Sequence, residues 1–415
     1  MDLRRHSALP FLLLAAACTA VLGEADPAAV PAQDDTVTTS DVRGLPHPWL
    51  RRGSAALPAS STAKEEAAPA PAALPAVEVP GVPEALWPAD RRLLTAGTWP
   101  AIREAFALHR PRQAATLLEQ TGRELRDSLE AAALQGWALI LLETQRDALR
   151  LCEDRLAEVE LRLGSSALAP AARAVLEDGR ARLLYVRAHA LYEDGRRAEA
   201  WPVLRELAGR YPKDLLVLER GARAAVEAGD GAGAVLLLDR RHLLRPLDLE
   251  LRLLRIEGLA LAGRHGVAVQ AMDRLLVEQP DDPALWFRAG RLALEAARAG
   301  EEGLDYEGAA ALLEQAALLD PQSAGIQHLL GVARAAAGDA SAAEEAWRRA
   351  LELEPDHLEA AESLFLLLQR NGRGPEALQL TGWLLRQPLA PEEVERVEAW
   401  RRSLGGAEAG RVSGG

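Results

Sequence analysis

The chain has 415 residues, of which 49% are hydrophobic but only 4% aromatic, so its apolar part is mainly Ala and Leu, as in packed helices. Its formal net charge of −13 at pH 7 argues against nucleic acid as a partner, because phosphate binding needs a basic face.

Residues 1–23 have the pattern of a signal segment. Two arginines precede an apolar run from Ala8 to Leu22, which is shorter than the roughly 20 residues that a membrane span needs. The run ends at Gly23 with small residues in the places that a signal peptidase reads. The alternative is an uncleaved membrane anchor. The pattern predicts export, to the periplasm or another extracytoplasmic location.

The stretch from Leu14 to Cys18 is similar to a bacterial lipoprotein signal, in which the cysteine is lipidated and becomes the first residue. Ala15 stands where Leu is usual, so a plain cysteine in an apolar signal core stays open as the alternative. A lipidated Cys18 would tether the chain to a membrane. The only other cysteine is Cys152, so the mature chain cannot form an internal disulfide, and we expect Cys152 to be a buried thiol.

Residues 24–83 are rich in Pro, Ala, Ser and Thr without periodicity, which predicts a disordered linker. Helical patterning returns over residues 84–180. Leu129–Leu163 has the pattern of a degenerate repeat without a closing proline, and residues 91–125 have that of another helix pair.

Over residues 181–390, prolines mark junctions at intervals of 34, 34, 41, 34 and 33 residues: Pro212, Pro246, Pro280, Pro321, Pro355 and Pro388. A fixed period in this range is typical of a repeat solenoid, since each proline can close one helical hairpin. Each unit has two apolar runs at helical spacing with a glycine turn between them, and no run alternates with period two. The pattern therefore predicts stacked hairpins and almost no strand.

These units resemble the tetratricopeptide repeat. The unit at 324–357 carries the small, large and closing residues of that pattern at Leu330, Gly331, Gly338, Ala343, Trp347, Ala350 and Pro355, and departs from it at Gln327. Four units before it and one after it share the pattern, and the last slips by one residue at Pro388. The resemblance covers about half the chain and implies an all-α, right-handed α-solenoid of six tandem repeats at 181–390.

Two features lie outside this regular pattern. The fourth unit has seven extra residues near 296–308, which predict a solvated loop after a lengthened first helix; a cation site is the alternative, although the calcium-loop spacing of carboxylates is absent. Residues 391–404 have one apolar stripe, which predicts a capping helix. We expect residues 405–415 to be disordered.

No catalytic or metal-binding motif is present in the sequence. The histidines are scattered, and neither a phosphate-binding glycine loop nor a nucleophile elbow occurs. We therefore predict a protein that is not an enzyme, with no metal and no cofactor.

The resemblance implies that the first helix of each repeat lines a concave groove, chiefly through repeat positions 2, 5, 9, 12 and 13. Aromatic and arginine side chains at such positions are typical of protein-binding hot spots. The predicted partner-binding residues are Arg182, Tyr185, His189, Tyr192, Glu219, Arg223, Glu257, Phe287, Arg291, His328, Glu362 and Gln369. A clamp for a C-terminal carboxylate is disfavoured, because Tyr185 and His189 replace its Lys and Asn.

Two functions are compatible with these features. The first is a non-enzymatic interaction scaffold of the bacterial cell envelope that binds a peptide or protein in the groove. The second is a lipid-anchored structural subunit of an envelope assembly or secretion apparatus, which would use its edges and convex face.

Overall fold

The protein consists of pairs of helices joined by short turns. The computed structural model describes residues 78–89, 91–121, 128–301 and 303–412. These residues form two compact units, 78–264 and 265–412, and contain no strand. The predicted all-α fold of stacked hairpins is confirmed, whereas its right-handed sense stays a prediction. The predicted signal segment at 1–23 and residues 24–77 of the predicted linker lie outside the described residues.

The described part of the first unit has the 3-10 helix Glu84–Leu86 and ten α-helices: α1 (Arg91–Thr95), α2 (Trp99–Ala107), α3 (Pro111–Gln120), α4 (Leu129–Leu141), α5 (Gln145–Leu163), α6 (Pro170–Glu193), α7 (Arg197–Arg210), α8 (Leu215–Glu227), α9 (Gly231–Leu244) and α10 (Leu249–Leu261). The described residues of the second unit form eight α-helices: α11 (His265–Glu278), α12 (Pro283–Ala299), α13 (Tyr306–Leu319), α14 (Ala324–Ala336), α15 (Ala340–Leu353), α16 (Leu358–Arg370), α17 (Gly374–Leu384) and α18 (Pro391–Val412). None of the described helices combines the length and apolarity that crossing a membrane requires.

The predicted glycine turns join the two helices of a hairpin. Between α14 and α15, Gly338 has a φ of 94°, a left-handed conformation that glycine adopts without steric cost. The next residue, Asp339, caps α15 by accepting a hydrogen bond from the amide of Ala342 at 2.9 Å. This pairing of a left-handed residue with a capping residue reverses the chain within three residues.

A missing side chain lets the paired helices approach. Gly331 of α14 faces the fully buried indole of Trp347 on α15, and a Cβ at residue 331 would lie 2.4 Å from the indole Nε1. That Nε1 donates a hydrogen bond to the carbonyl of His328 at 3.1 Å, so the ring is fixed in place. Helix contacts of this kind bury the apolar faces that one hairpin alone would leave in water.

The predicted degenerate repeat is a hairpin of α4 and α5. A Cβ at Gly136 would lie 2.8 Å from Val186 of α6, so this glycine marks a close contact between hairpins. The turn uses Glu143 at a φ of 59° where other hairpins have glycine. Cys152 is buried as expected, and burial raises the pKa of its thiol to about 12.

Helix α6 departs from the predicted pattern. The first repeat was expected to begin at Ala181, but the helix begins eleven residues earlier, at Pro170. Its extra turns pack against α4 and the 19-residue helix α5. A Cβ at Gly179 would lie 2.3 Å from Leu129, so glycine is required where α6 meets α4.

Both ends of the folded body differ from the predicted boundaries. Val79 and Val82 are buried, so the last residues assigned to the linker belong to the body. At the other end, Trp400 of α18 stacks on Phe365 of α16 with ring centroids 5.5 Å apart, as a capping helix would. Helix α18 continues to Val412, beyond residue 404, where the predicted capping helix ends.

The extra residues of the fourth unit lengthen a helix and its turn. Helix α12 has 17 residues, against 13 in α14, and ends at Gly300 with a φ of 74°. Asp305 then caps α13 by accepting from the amide of Gly308 at 2.8 Å. The predicted lengthening of the first helix is thus seen in α12. Glu302, in the predicted loop, lies outside the described residues.

Substitution of Gly331 by Ala should destabilise the second unit. The added Cβ would displace a fixed, fully buried indole, so we expect the free energy of unfolding to fall by about 1–3 kcal/mol. Gly325→Ala is the matched control in the same helix, because the nearest atom to its Cβ is 4.0 Å away. Urea denaturation followed by circular dichroism measures both, and equal midpoints would contradict the close-contact role of Gly331.

Candidate functional site

The predicted groove residues differ widely in exposure. Four of them are buried, which contradicts the expectation that they face solvent: Arg182, Tyr185, His189 and His328. Glu257 is exposed, and the other seven are partly exposed: Tyr192, Glu219, Arg223, Phe287, Arg291, Glu362 and Gln369. The predicted set therefore consists of core residues and surface residues, and both kinds occur in each unit.

Tyr185 is a core residue that joins α6 to α8. Its ring lies between Trp137 of α4 and Tyr211 of the α7–α8 connection, with centroids 6.2 and 6.0 Å away. Its hydroxyl donates to Asp214, the N-cap of α8, at 3.0 Å. Burial, followed by the charge of Asp214, raises the pKa of Tyr185. Truncation of Tyr185 would therefore open the core instead of weakening a binding surface.

His189 is buried beside Tyr185, with ring centroids 4.4 Å apart. The guanidinium of Arg220 lies 2.9 Å from His189 Nδ1. A guanidinium can only donate, so Nδ1 accepts and Nε2 carries the proton. Burial and the nearby arginine lower the pKa of His189 and keep the ring neutral. His189 Nε2 and Trp137 Nε1 are both buried without a hydrogen-bond partner in the described part of the chain.

Arg182 holds a segment of polypeptide on the first helices. Residues 78–89, here called the strap, contact both α4 and α6. Arg182 donates to the carbonyls of Ala85 and Trp87 at 3.4 and 2.7 Å. On α4, a carboxylate oxygen of Glu130 accepts from the amide of Ala89 at 3.0 Å. A residue predicted to bind a partner peptide thus binds the main chain of this protein's own N-terminal segment.

Arg182 is oriented by the helices themselves. It donates to Asp178 at 2.8 Å, one turn earlier on α6, and lies 3.7 Å from Glu130. The second oxygen of Asp178 accepts from Arg210 of α7 at 2.8 Å. Despite the opposing effect of burial, Arg182 and Arg210 hold the pKa of Asp178 below its usual value. The guanidinium is therefore fixed by charged partners on α4 and α6.

A second group, here called the Tyr192 cluster, lies at the partly exposed end of α6. The guanidinium carbons of Arg197 and Arg220 lie 4.8 and 5.1 Å from the centroid of the Tyr192 ring, within the range of cation–π attraction. Arg223, the third arginine of the cluster, pairs with the exposed Glu250 at 2.8 Å. Guanidinium groups that lie next to an aromatic ring and pair with exposed carboxylates can exchange those partners for an incoming acidic or carbonyl group.

The second unit does not collect its predicted residues into one site. His328 is buried against His357, with ring centroids 5.1 Å apart, and His357 Nδ1 accepts from the amide of Ala360 to cap α16. Gln369 contacts Ser403 of α18 at 3.4 Å, so the capping helix covers the end of α16. Among the described residues, no group of three or more His, Cys, Asp or Glu could hold a metal ion.

Two functional features escaped sequence reasoning. The burial of Tyr185 depends on Tyr211 and Asp214, which lie on either side of a junction proline and were counted only as a turn. The first half of the strap, residues 78–83, was assigned to the linker, although Val-Pro-Gly-Val at 79–82 is a turn signal of the kind that ends disorder. Only tertiary contacts place the strap on α4 and α6.

The stability of the second unit should depend on pH through His328. Burial, and then the charge of His357, lowers the pKa of His328 to about 3 from the ordinary value of 6.5. Unfolded chains therefore take up a proton on His328 below pH 6.5, whereas folded chains do so only near pH 3, so stability is lost as the pH falls through this window. We expect the free energy of unfolding to fall by about 2 kcal/mol between pH 7 and pH 5.

Urea denaturation at the two pH values measures this change. Two variants are compared, one that removes His328 and one that serves as a control. His328→Gln should reduce the loss of stability between pH 7 and pH 5, because the titrating group is gone. His242→Gln, at an exposed position on α9, should leave the loss unchanged. An equal loss in the two variants would show that His328 is not the source.

Comparison with known proteins returns only distant structural similarity. No protein-family model matches the chain, and no curated protein matches it. MamA from Desulfovibrio magneticus RS-1 is 22% identical with a TM-score of 0.36, over 43% of this chain and 96% of that one. YrrB, described as a TPR protein with an unusual peptide-binding site, is 16% identical with a TM-score of 0.34, over 43% and 88% of the two chains.

A tetratricopeptide repeat protein from Parabacteroides merdae ATCC 43184 is 14% identical with a TM-score of 0.35, over 67% of this chain and all of that one. The chain itself gives the evidence for its repeat fold. From α8 onward, the first helix of each hairpin begins 34 residues after the previous one, except for the 41-residue fourth unit. The hairpins turn at the predicted glycines and touch at small residues, and so confirm the resemblance to the tetratricopeptide repeat in its fold.

Proposed function

We propose that this protein is a non-enzymatic interaction scaffold of the bacterial cell envelope, which binds a peptide or protein partner on its first helices. The observation that carries this proposal is the binding of Arg182 to two main-chain carbonyls of the strap. Main-chain groups are common to all polypeptides, so a surface that captures them recognises polypeptide as a class.

The Tyr192 cluster is the accessible part of the same helices. The Arg223 side chain is 27% exposed, and its ionic partner Glu250 is 75% exposed, so a partner can reach both. Exposed ion pairs contribute little to stability, about 0–1 kcal/mol, and can therefore exchange for a partner's carboxylate at small cost. Tyr192 adds a ring on which a side chain of the partner can stack.

Export supports the envelope location, and it rests on the sequence of residues 1–23. The alternative function, a lipid-anchored structural subunit of an envelope assembly or secretion apparatus, rests on Cys18 at the end of a lipoprotein-like segment. The two alternatives differ in whether a lipid on Cys18 anchors the protein to the membrane. The mature N-terminus distinguishes them.

Mass spectrometry of the protein isolated from its cells should find a chain that lacks its first residues. A mature chain beginning at Glu24 would support a free scaffold, and a lipid-modified Cys18 would support the anchored subunit. Intact Met1 on protein from the membrane-free cytosol would contradict export and both envelope functions.

Partner binding should depend on the Tyr192 cluster. We expect the double variant Tyr192→Ala, Arg223→Gln to lower the affinity for partners captured from an envelope extract by about 30-fold, or about 2 kcal/mol, which is the size of a hot spot. Pull-down identifies the partner, and titration of the purified partner gives the affinity.

Arg150→Gln is the matched control, because Arg150 is an exposed arginine on a second helix, α5. Circular dichroism should show both variants folded. If the double variant is folded and its affinity for the partner is unchanged, the first helices are not the binding surface.

A further inference from the structure

We infer that the strap, residues 78–89, is an exchangeable internal ligand, and that a partner polypeptide of the same chemistry replaces it on Arg182 and Glu130. The inference rests on the proposed function and adds the kind of partner and its competitor. The partner class is a short segment that folds like the strap, with a turn followed by one turn of 3-10 helix, and that offers main-chain carbonyls and aliphatic side chains at the same spacing.

The strap keeps its shape largely by itself. Residues 79–82 form a turn in which the amide of Val82 donates to the carbonyl of Val79 at 3.1 Å, with Gly81 at a φ of 78°. The indole of Trp87 donates to the carbonyl of Val82 at 3.0 Å. The amide of Leu86 donates to the carbonyl of Pro83 at 2.9 Å. These hydrogen bonds lie within the strap and need no hairpin, so the strap can leave the helices as a unit.

The helices contribute two things to the contact. Four aliphatic side chains of the strap are buried in the core of the first unit: Val79, Val82, Ala85 and Leu86. The polar contacts from Arg182 and Glu130 all reach main-chain atoms. Specificity therefore depends on the spacing of the aliphatic residues, whereas the polar contacts fit any segment that takes up the same turn and 3-10 helix.

The groups that orient Arg182 do not belong to the strap. Asp178 and Glu130 orient Arg182, and Arg210 in turn orients Asp178, all from α4, α6 and α7. If the strap leaves, Arg182 keeps its charged neighbours and only its two carbonyl acceptors are lost. An incoming polypeptide can supply those acceptors in the same positions.

A tethered strap competes strongly with a free peptide. A short tether gives an effective concentration on the order of millimolar. For a free peptide with a dissociation constant of about 10 µM, that competition lowers the apparent affinity by about 100-fold. A partner therefore binds this site only when it is locally concentrated, or when it also engages another part of the first helices.

The experiment uses the full chain with a specific protease site inserted at Asp90, between the strap and α1. A fluorescent synthetic peptide with the sequence of residues 78–89 is titrated against the protein before and after cleavage, and anisotropy reports binding. We expect micromolar binding to the cleaved protein, once its released strap has been exchanged away by dialysis, and binding at least 10-fold weaker to the uncleaved protein.

Two variants test the chemistry. Arg182→Gln in the cleaved protein should weaken peptide binding at least 10-fold, while Arg150→Gln should leave it unchanged. A peptide with Asp in place of Leu86 should also lose binding. This peptide leaves the protein unchanged, so it tests the inference even if Arg182→Gln impairs folding.

Three results would overturn the inference. The cleaved protein could lose its helical circular dichroism, or it could keep its strap through dialysis and exclude the peptide; either would make the strap a permanent part of the core. Equal binding before and after cleavage would place the peptide elsewhere. None of these results depends on a partner from the envelope extract, so the inference and the proposed function can fail separately.

Discussion

The fold depends on how closely the two helices of a hairpin can approach. At Gly331 and Gly290, the side chain that is absent leaves room for Trp347 and Leu313 of the second helix. Each such contact fixes the angle of one hairpin and so the surface it offers to the next. Residues at these contacts are therefore constrained by volume, while first-helix residues beyond them are free to carry function.

The periodic part of the fold could be predicted from sequence because its signals are local. A proline after each second helix and a glycine in the turn of each repeat mark helix ends without reference to tertiary structure. At Gly229 and Gly338 a capping aspartate follows the glycine. Where those signals are absent, helix ends and turns could not be predicted from the sequence. Helix α6 begins at Pro170 because tertiary contacts with α4 and α5 extend it, and the turn at Glu143 has no glycine to mark it.

The candidate site was harder to predict because repeat position alone does not give exposure. Tyr185 and His189 occupy groove positions, yet Trp137 and Tyr211 cover them. Both of these neighbours belong to irregular parts of the chain, the degenerate hairpin and a junction, where the repeat pattern says least. Tyr192 and Arg223 are partly exposed, and their role in partner binding stays a prediction.

The buried thiol of Cys152 has a consequence for how opening of the first unit can be observed. Its thiol is fully inaccessible, and burial holds its pKa near 12, so almost no thiolate reaches an alkylating reagent or oxidant while α5 stays packed. In a chain without Cys18, each alkylated molecule would record one opening of the helices around α5. This single native thiol therefore reports local unfolding at a rate that mass spectrometry can measure without an introduced probe.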